Sequence, residues 1–204
     1  MYGIILLRVL FRGDAMTLDE LDRQVSECTL CNSLVEKFPA SKTVFLGKNN
    51  KFVLIGEAPA NNGWRKSNML WRDVTGKFLP SAVVMQKLLD VIDCNLLDVT
   101  FLEAVKCYTI NRNNLKVCSK NCKSIIMQQI EILNPELIIT LGEFPTRNLL
   151  GNDFKKFSEV VGKFHNLGKY KVLPIYHPSP VSPMSYKGNL PIFEMLKEKK
   201  YENK

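Results

Sequence analysis

Two stretches of this 204-residue chain combine residue types that can do chemistry. In VLIGEAPANNGWRKS (residues 53–67) an apolar run meets Gly56 and turns at once polar, with Glu57, Pro59, Asn61, Asn62 and a basic pair. In HPSPVSP (177–183) a histidine opens a rigid Pro/Ser loop. An imidazole can donate to a developing negative charge or relay a proton. Carboxylates and amides beside a tight turn can hold a water or a polar substrate edge. The first stretch lacks the lysine and Ser/Thr spacing of a Walker A loop and does not match GxGxxG. Each stretch also has a plainer reading: a strand-to-helix loop built from turn residues, and a histidine that satisfies a backbone partner.

Six cysteines stand at 28, 31, 94, 107, 118 and 122. In a reducing compartment, metal or cluster ligation accounts for them better than a disulfide framework. Spacing alone allows a zinc site from Cys28-x-x-Cys31 with Cys118-x-x-x-Cys122.

The surrounding chain must position these groups. Its length suits one domain with a full core, expected over residues 16–204. Residues 1–15 read as a possible upstream extension, with Met16 as an alternative start. The apolar start MYGIILLRVLF is too short to span a bilayer and has no small-residue cleavage site. The expected setting is therefore the cytoplasm (with the nucleoid) or the nucleus, not a secreted or membrane location. A formal charge of +8 suits a polyanionic partner.

Residues 17–36 read as a helix capped by Thr17. FVLIG (52–56) and ELIITLG (136–142) read as buried strands, VTFLEAV (99–105) as β-rich, and KVLPIYH (171–177) as the last strand. Pro174 argues mildly against a central place for that strand. Helices are expected over 77–93, 119–133 and 143–150, and from Pro191 onward. KFHNLGKY, with His165, reads as a hairpin-like bend. The alternation argues an α/β parallel sheet covered on both faces. In such sheets ligands gather beyond the carboxyl ends of the strands, where GEAPANN, KCYTINRNN and HPSPVSP fall.

With GEAPA after the first strand and HPSP after the last, the chain resembles the uracil-DNA glycosylase superfamily from Cys28 to about residue 195. CKSIIMQQIEILNPELIITLG (122–142) is similar to the family-4 segment between the last cluster cysteine and the third strand. Arg65 through Asp73-Val74-Thr75-Gly76 is more similar to family 5. The resemblance implies a three-layer αβα sandwich with a four-stranded parallel sheet. It also implies hydrolysis of the N-glycosidic bond of a deoxyuridine, or a related damaged nucleotide, flipped out of DNA. The enzyme would be monofunctional, act in base-excision repair with water as nucleophile, and work as a monomer. The alternatives are a non-catalytic iron–sulfur DNA-binding protein of the same fold and a glycosylase for another base.

The resemblance also implies roles for residues. His177 would stabilise the departing base, Asp73 would position water, and Asn61 would assist; the other reading of Asp73 is a cap on the turn before Thr75-Gly76. Gly56, Glu57, Ala58, Pro59 and Ala60 would form the base pocket. Leu70 stands where the family has its base-stacking aromatic, with Trp71 adjacent. Glu103 replaces the usual base-reading Asn. Three readings follow: a protonated carboxyl that reads uracil, a charged carboxylate that reads a donor–donor edge, or a side chain tied away to Lys106 or Arg112. Cys28, Cys31, Cys107 and Cys122 would ligate a [4Fe–4S] cluster, with zinc as the alternative, Cys118 a spare and Cys94 a buried helix-end residue. DNA contacts would come from Ser179 and from a basic run of Lys106, Arg112, Lys116, Lys120 and Lys123. Val181, Met184 and Tyr186 are the wedge candidates, Val181 first.

Overall fold

The computed structural model describes residues 16–37, 42–61 and 63–202. The proposed extension 1–15 and Asn62 lie outside the described residues. The chain runs α1 (Leu18–Glu27), β1 (Val35–Glu36), β2 (Val44–Phe45), β3 (Asn49–Gly56), α2 (Trp64–Ser67), α3 (Pro80–Asp90), β4 (Val99–Glu103) and β5 (Tyr108–Thr109). It continues through α4 (Leu115–Leu133), β6 (Leu137–Leu141), α5 (Glu143–Leu150), β7 (His165–Leu167), β8 (Tyr170–Ile175) and α6 (Leu190–Glu202).

Six strands form one sheet in the order β2-β4-β3-β6-β8-β7. The middle four are parallel, as expected, and β2 and β7 add antiparallel edges. Strict alternation divides each central strand between two cores. Leu54, Phe101, Ile139 and Leu173 face the α3/α6 layer. Val53, Ile55, Leu102, Ile138 and Val172 face Ile126, Ile130 and Leu133 of α4 and Leu149 of α5. The period-2 side-chain geometry of a strand produces this division. Leu54, Ile55, Leu102, Ile138 and Leu173 are fully buried, each contributing about 1.5–3 kcal/mol of transfer free energy.

Pro174 sits inside the sheet, paired with Thr140 of β6. Its carbonyl accepts from Gly162 N–H at 2.8 Å on the outer side. The N and C=O of a strand residue point the same way, so its missing N–H falls on that outer side. The β7 ladder ends at Val172, short of Pro174. An interior strand therefore tolerates the proline.

The first helix is a correction. Thr17 caps it as expected, its Oγ accepting from Glu20 N–H at 3.2 Å, but it ends at Glu27, not 36. Cys28 leaves in extended backbone (ψ 133°), and 30–34 turn into β1, which pairs with β5. That pairing overrides local helix preference, with no Gly or Pro to announce the stop. α4 begins one turn earlier than expected, at Leu115. A 3₁₀ turn over Arg112–Asn114 leads into it, capped by Asn111 Oδ1 accepting from Asn113 N–H at 2.9 Å. Among the described residues, no helix is long and apolar enough to cross a membrane.

Candidate active site and cysteine cage

A cleft of about 710 Å³ opens at the carboxyl edge of the sheet. Its walls come from the β3–α2 turn, the end of β4, the segment through Arg112 and the loop after β8. This is the switch point of the sheet: β3 lies between β4, reached by one crossover, and β6, reached by the next.

The turn GEAPA is anchored from behind. Gly56 and Glu57 carbonyls accept from Ala104 and Val105 N–H, each at 2.9 Å. A Cβ at Gly56 would crowd the Phe101 ring at 3.0 Å, so any other residue there must push that ring aside. Gly56, Glu57, Ala58, Pro59, Ala60 and Asn61 all line the cleft. The Glu57 carboxylate is already engaged by Arg112, with contacts of 2.6 and 2.8 Å. Such a forked pair is strongly directional, and it fixes Arg112 at the cleft rim.

His177 faces GEAPA across the cleft. Ser179 N–H donates to its Nδ1 at 3.1 Å, so a neutral imidazole carries its proton on Nε2. His177 is exposed along the cleft, so the desolvation of its ring is partial. Desolvation first, and the Arg112 guanidinium second, push its pKa below the ordinary 6.5. The ring is thus held neutral, as an N–H donor. Gly142, at φ +98°, lets β6 end against it: a Cβ there would meet His177 Cβ at 3.2 Å.

Sequence reasoning missed the keystone of this loop. Asn189 is fully buried. Its Oδ1 accepts from Tyr176 N–H at 2.8 Å, and its Nδ2 donates to the Tyr176 and Ser185 carbonyls, both at 2.8 Å. It pins the residue before His177 from thirteen positions away, and a lone Asn before a helix gives no sign of that. Phe101 and Tyr108 also line the cleft unforeseen. Their signal was only an aromatic in or beside a strand.

Several expected residues lie elsewhere. Asp73 is outside the cleft lining. Its Oδ1 accepts from Thr75 N–H (2.8 Å), Thr75 Oγ–H (2.6 Å) and Lys77 N–H (3.1 Å). The Thr75 hydroxyl above all holds its pKa below the usual value. The turn-capping reading is the one this geometry fits. Leu70 packs half-buried against the α3/α6 core, and Trp71 lines the cleft in its place. Trp71 adopts φ +60°, a left-handed conformation that costs a bulky residue about 1–3 kcal/mol and redirects the side chain. Its ring lies 4.6 Å from that of Phe101, tilted by 53°.

Glu103 ends β4, is 4 % exposed, and lines the cleft. Both terminal nitrogens of Arg112 are engaged by Glu57. Lys106, expected toward phosphate, is buried, and its ammonium donates to the Glu103 main-chain carbonyl. Lys123 is also diverted: its Nζ caps the end of α5 through the Asn148 carbonyl, and burial lowers its pKa. Arg112, Lys116 and Lys120 remain exposed. Ser179 lines the cleft, and Val181 stands at its mouth, 90 % exposed. His165 bonds the Val160 carbonyl at 3.0 Å, consistent with no assigned role.

Behind the cleft, Cys28, Cys31, Cys107, Cys118 and Cys122 line one cavity with Val25, Val35 and Val105. Cys94 is half-buried just after α3 and does not line this cavity. Asn121 Nδ2 donates to Cys31 Sγ at 3.2 Å. Burial, and then Cys31, push the Cys118 thiol up to about 12. Burial also raises Cys122, while Lys106 opposes it. Among the described residues, no three His, Cys, Asp or Glu side chains are arranged to hold a metal ion as they stand. The five thiols share this one cavity. Four sulfur donors from three chain segments in an apolar shell fit the requirements of an iron–sulfur cluster.

The family profile described as Uracil DNA glycosylase superfamily matches residues 44–199. The Type-4 uracil-DNA glycosylase of Archaeoglobus fulgidus is 26 % identical over 81 % of this chain and 83 % of its own. That of Saccharolobus solfataricus is 30 % identical over 79 % and 76 %, and that of Thermotoga maritima 27 % over 79 % and 81 %. A match that runs through the whole sheet and both cleft loops, and not through one motif alone, means that this chain belongs to the uracil DNA glycosylase superfamily.

Proposed function

We propose that the chain is a monofunctional uracil-DNA glycosylase that hydrolyses the N-glycosidic bond of a nucleotide flipped into the cleft. The observation that carries this reading is His177, a neutral donor facing the GEAPA turn across a cleft roomy enough for a base. As the bond to the sugar breaks, negative charge gathers on the leaving base. An Nε2–H aimed into a preorganised cleft stabilises that charge with little reorganisation. Trp71 and Phe101 supply the aromatic wall, and Asn61 is the polar group at the turn that can hold the attacking water. Arg112, Lys116 and Lys120 face phosphate, and Val181 fills the gap left in the base stack.

Glu103 reads the base edge. Burial favours the neutral carboxyl, which accepts from uracil N3–H through its carbonyl and donates to O4 through its hydroxyl. The proximity of the Lys106 ammonium supports a second reading, a charged carboxylate selecting a donor–donor edge. Cys28, Cys31, Cys107 and Cys122 would hold a [4Fe–4S] cluster that clips α1 and β1 to the segment behind GEAPA. The relatives' Type-4 name supports a cluster over a single zinc ion. When bound, the cluster supplies structure.

The test is base release from single-stranded DNA and from duplexes carrying U:G, U:A, T:G or hypoxanthine, read by alkaline strand cleavage, with Glu103→Asn alongside. Uracil excision kept or raised by Glu103→Asn is the expected result. Loss of uracil activity in the variant, with another base released by the parent, selects the charged reading. Tight DNA binding with no cut strand on any substrate would make the chain a binding module.

A further inference from the structure

Ile110 lines the cleft, yet it is 63 % exposed. Among the described residues, the other large exposed apolar side chain of the cleft lining is Val181. A single exposed aliphatic residue is ordinary on a protein surface, but two at the mouth of one cleft point to an occupant. Val181 follows β8 and Ile110 follows β4, and β3 and β6 separate those strands in the sheet. Three strand spacings amount to about 14 Å, so the two residues belong to different walls.

The backbone at Ile110 is tied on both sides. Its N–H donates to the Leu34 carbonyl at 3.2 Å. Thr109 before it pairs with Val35 in the β1–β5 ladder. After it, Asn111 Oδ1 accepts from Asn113 N–H at 2.9 Å and caps the 3₁₀ turn. Leu34 N–H donates to the Cys31 carbonyl at 2.8 Å, so the ladder grows out of the cysteine cage. Ile110 and Val181 are both β-branched and lose little rotamer freedom on burial. The charge around Ile110 names the partner. From residue 104 to residue 130 the chain carries Lys106, Arg112, Lys116, Lys120 and Lys123 and no Asp or Glu. Arg112, Lys116 and Lys120 are exposed. An apolar tip in a cationic rim suits the base stack and phosphates of DNA.

We propose that Ile110 is a second wedge, entering the base stack of duplex DNA from the other wall of the cleft than Val181 and helping to fill the gap a flipped nucleotide leaves. The proposal rests on the glycosylase reading given above and names how its duplex substrate is held open. A valine side chain is far smaller than a base, so a second apolar residue in the gap offsets more of the unstacking cost. The test compares the full chain with Ile110→Ala, Ile110→Leu, Val181→Ala and the Ile110→Ala/Val181→Ala double variant. One readout is uracil release from a U:A duplex divided by release from the same strand alone. The other is the fluorescence of 2-aminopurine beside a non-cleavable deoxyuridine analogue in the duplex, which rises when its neighbour leaves the stack. Ile110→Ala should lower the ratio about tenfold and weaken the rise in fluorescence. Ile110→Leu, still large and apolar, should keep the ratio within about threefold of the parent. The double variant should fall below either single one. Ile110 is exposed, so its variants should melt with the parent. An unchanged ratio and fluorescence in Ile110→Ala would overturn its role and leave the tip to a partner other than DNA. Equal loss on single and double strands would assign Ile110 to the cleft wall and overturn the wedge too. A parent that releases no base would overturn the glycosylase reading, and the fluorescence of parent against Ile110→Ala would still decide the wedge.

Discussion

The cleft and the cysteine cage lie on opposite sides of one short segment, Glu103 to Cys107. The cleft is open, with Asn61 and Val181 exposed and His177 accessible along it. The cage is apolar, with Cys118 buried and the other four cysteines half-buried, and burial raises the thiol pKa of Cys118 and Cys122. The same stretch of chain serves both: Ala104 and Val105 N–H hold the GEAPA carbonyls, while Lys106 and Cys107 line the cage. The contrast teaches that the two sites are specified differently. In the cage, the residue type nearly suffices, because any cysteine facing that cavity is a donor. In the cleft, type says little until direction is known, as Trp71 and Leu70 show.

The sharpest way to break the contrast is His177→Ala. Removing one preorganised donor should lower the excision rate about 10²–10³-fold, with iron content and melting temperature unchanged. A loss under tenfold would take His177 out of the chemistry. Cys122→Ser should do the reverse. It should remove the visible absorbance and lower the melting temperature by on the order of 10 °C, as loss of a structural group does. An unchanged melt would reduce the cage to an ordinary core.

Arg112→Gln probes the cleft electrostatics. Neutral His177 is the working form, because a proton on Nδ1 would confront Ser179 N–H and break that bond. Its depressed pKa keeps the ring neutral as pH falls past 6.5, so activity is lost only at lower pH. Without Arg112 the pKa climbs and the acid limb of kcat/KM moves to higher pH. The shift is small, because the guanidinium is 77 % exposed and screened. An acid limb that moves downward would reverse the argument. The smallest effect is expected from Asp73→Asn: under about threefold on excision, well short of the 10²–10⁴ of a catalytic base. A hundredfold loss would return Asp73 to water positioning.

Much of the scaffold was legible. Buried runs such as FVLI and LIIT have one stable use, as central strands, and their period-2 alternation assigns each residue to a core before any contact is known. The helices over 143–150 and from about 190 were marked by Gly151 and Pro191. α1 was misread because its end is set by β1 pairing with β5, more than seventy residues on. Cleft membership was legible for GEAPA and HPSP, because both fall at carboxyl ends of strands and together carry the family resemblance. It was not legible for Asp73, Leu70, Lys106 or Asn189.

What the sequence determined by itself is local or periodic: strand against helix, the two faces of each strand, the loops at the carboxyl edge, and cysteines in number and spacing fit for metal ligation. What only the tertiary structure decided is where each polar group finds its partner. Asp73 spends its oxygen on a turn, Arg112 takes Glu57, Lys106 turns inward, and Asn189 pins the histidine loop. Hydrophobic burial is non-directional, so composition and period encode it. Hydrogen bonds and ion pairs demand distance and angle between residues far apart in the chain, and those exist only once the chain has folded.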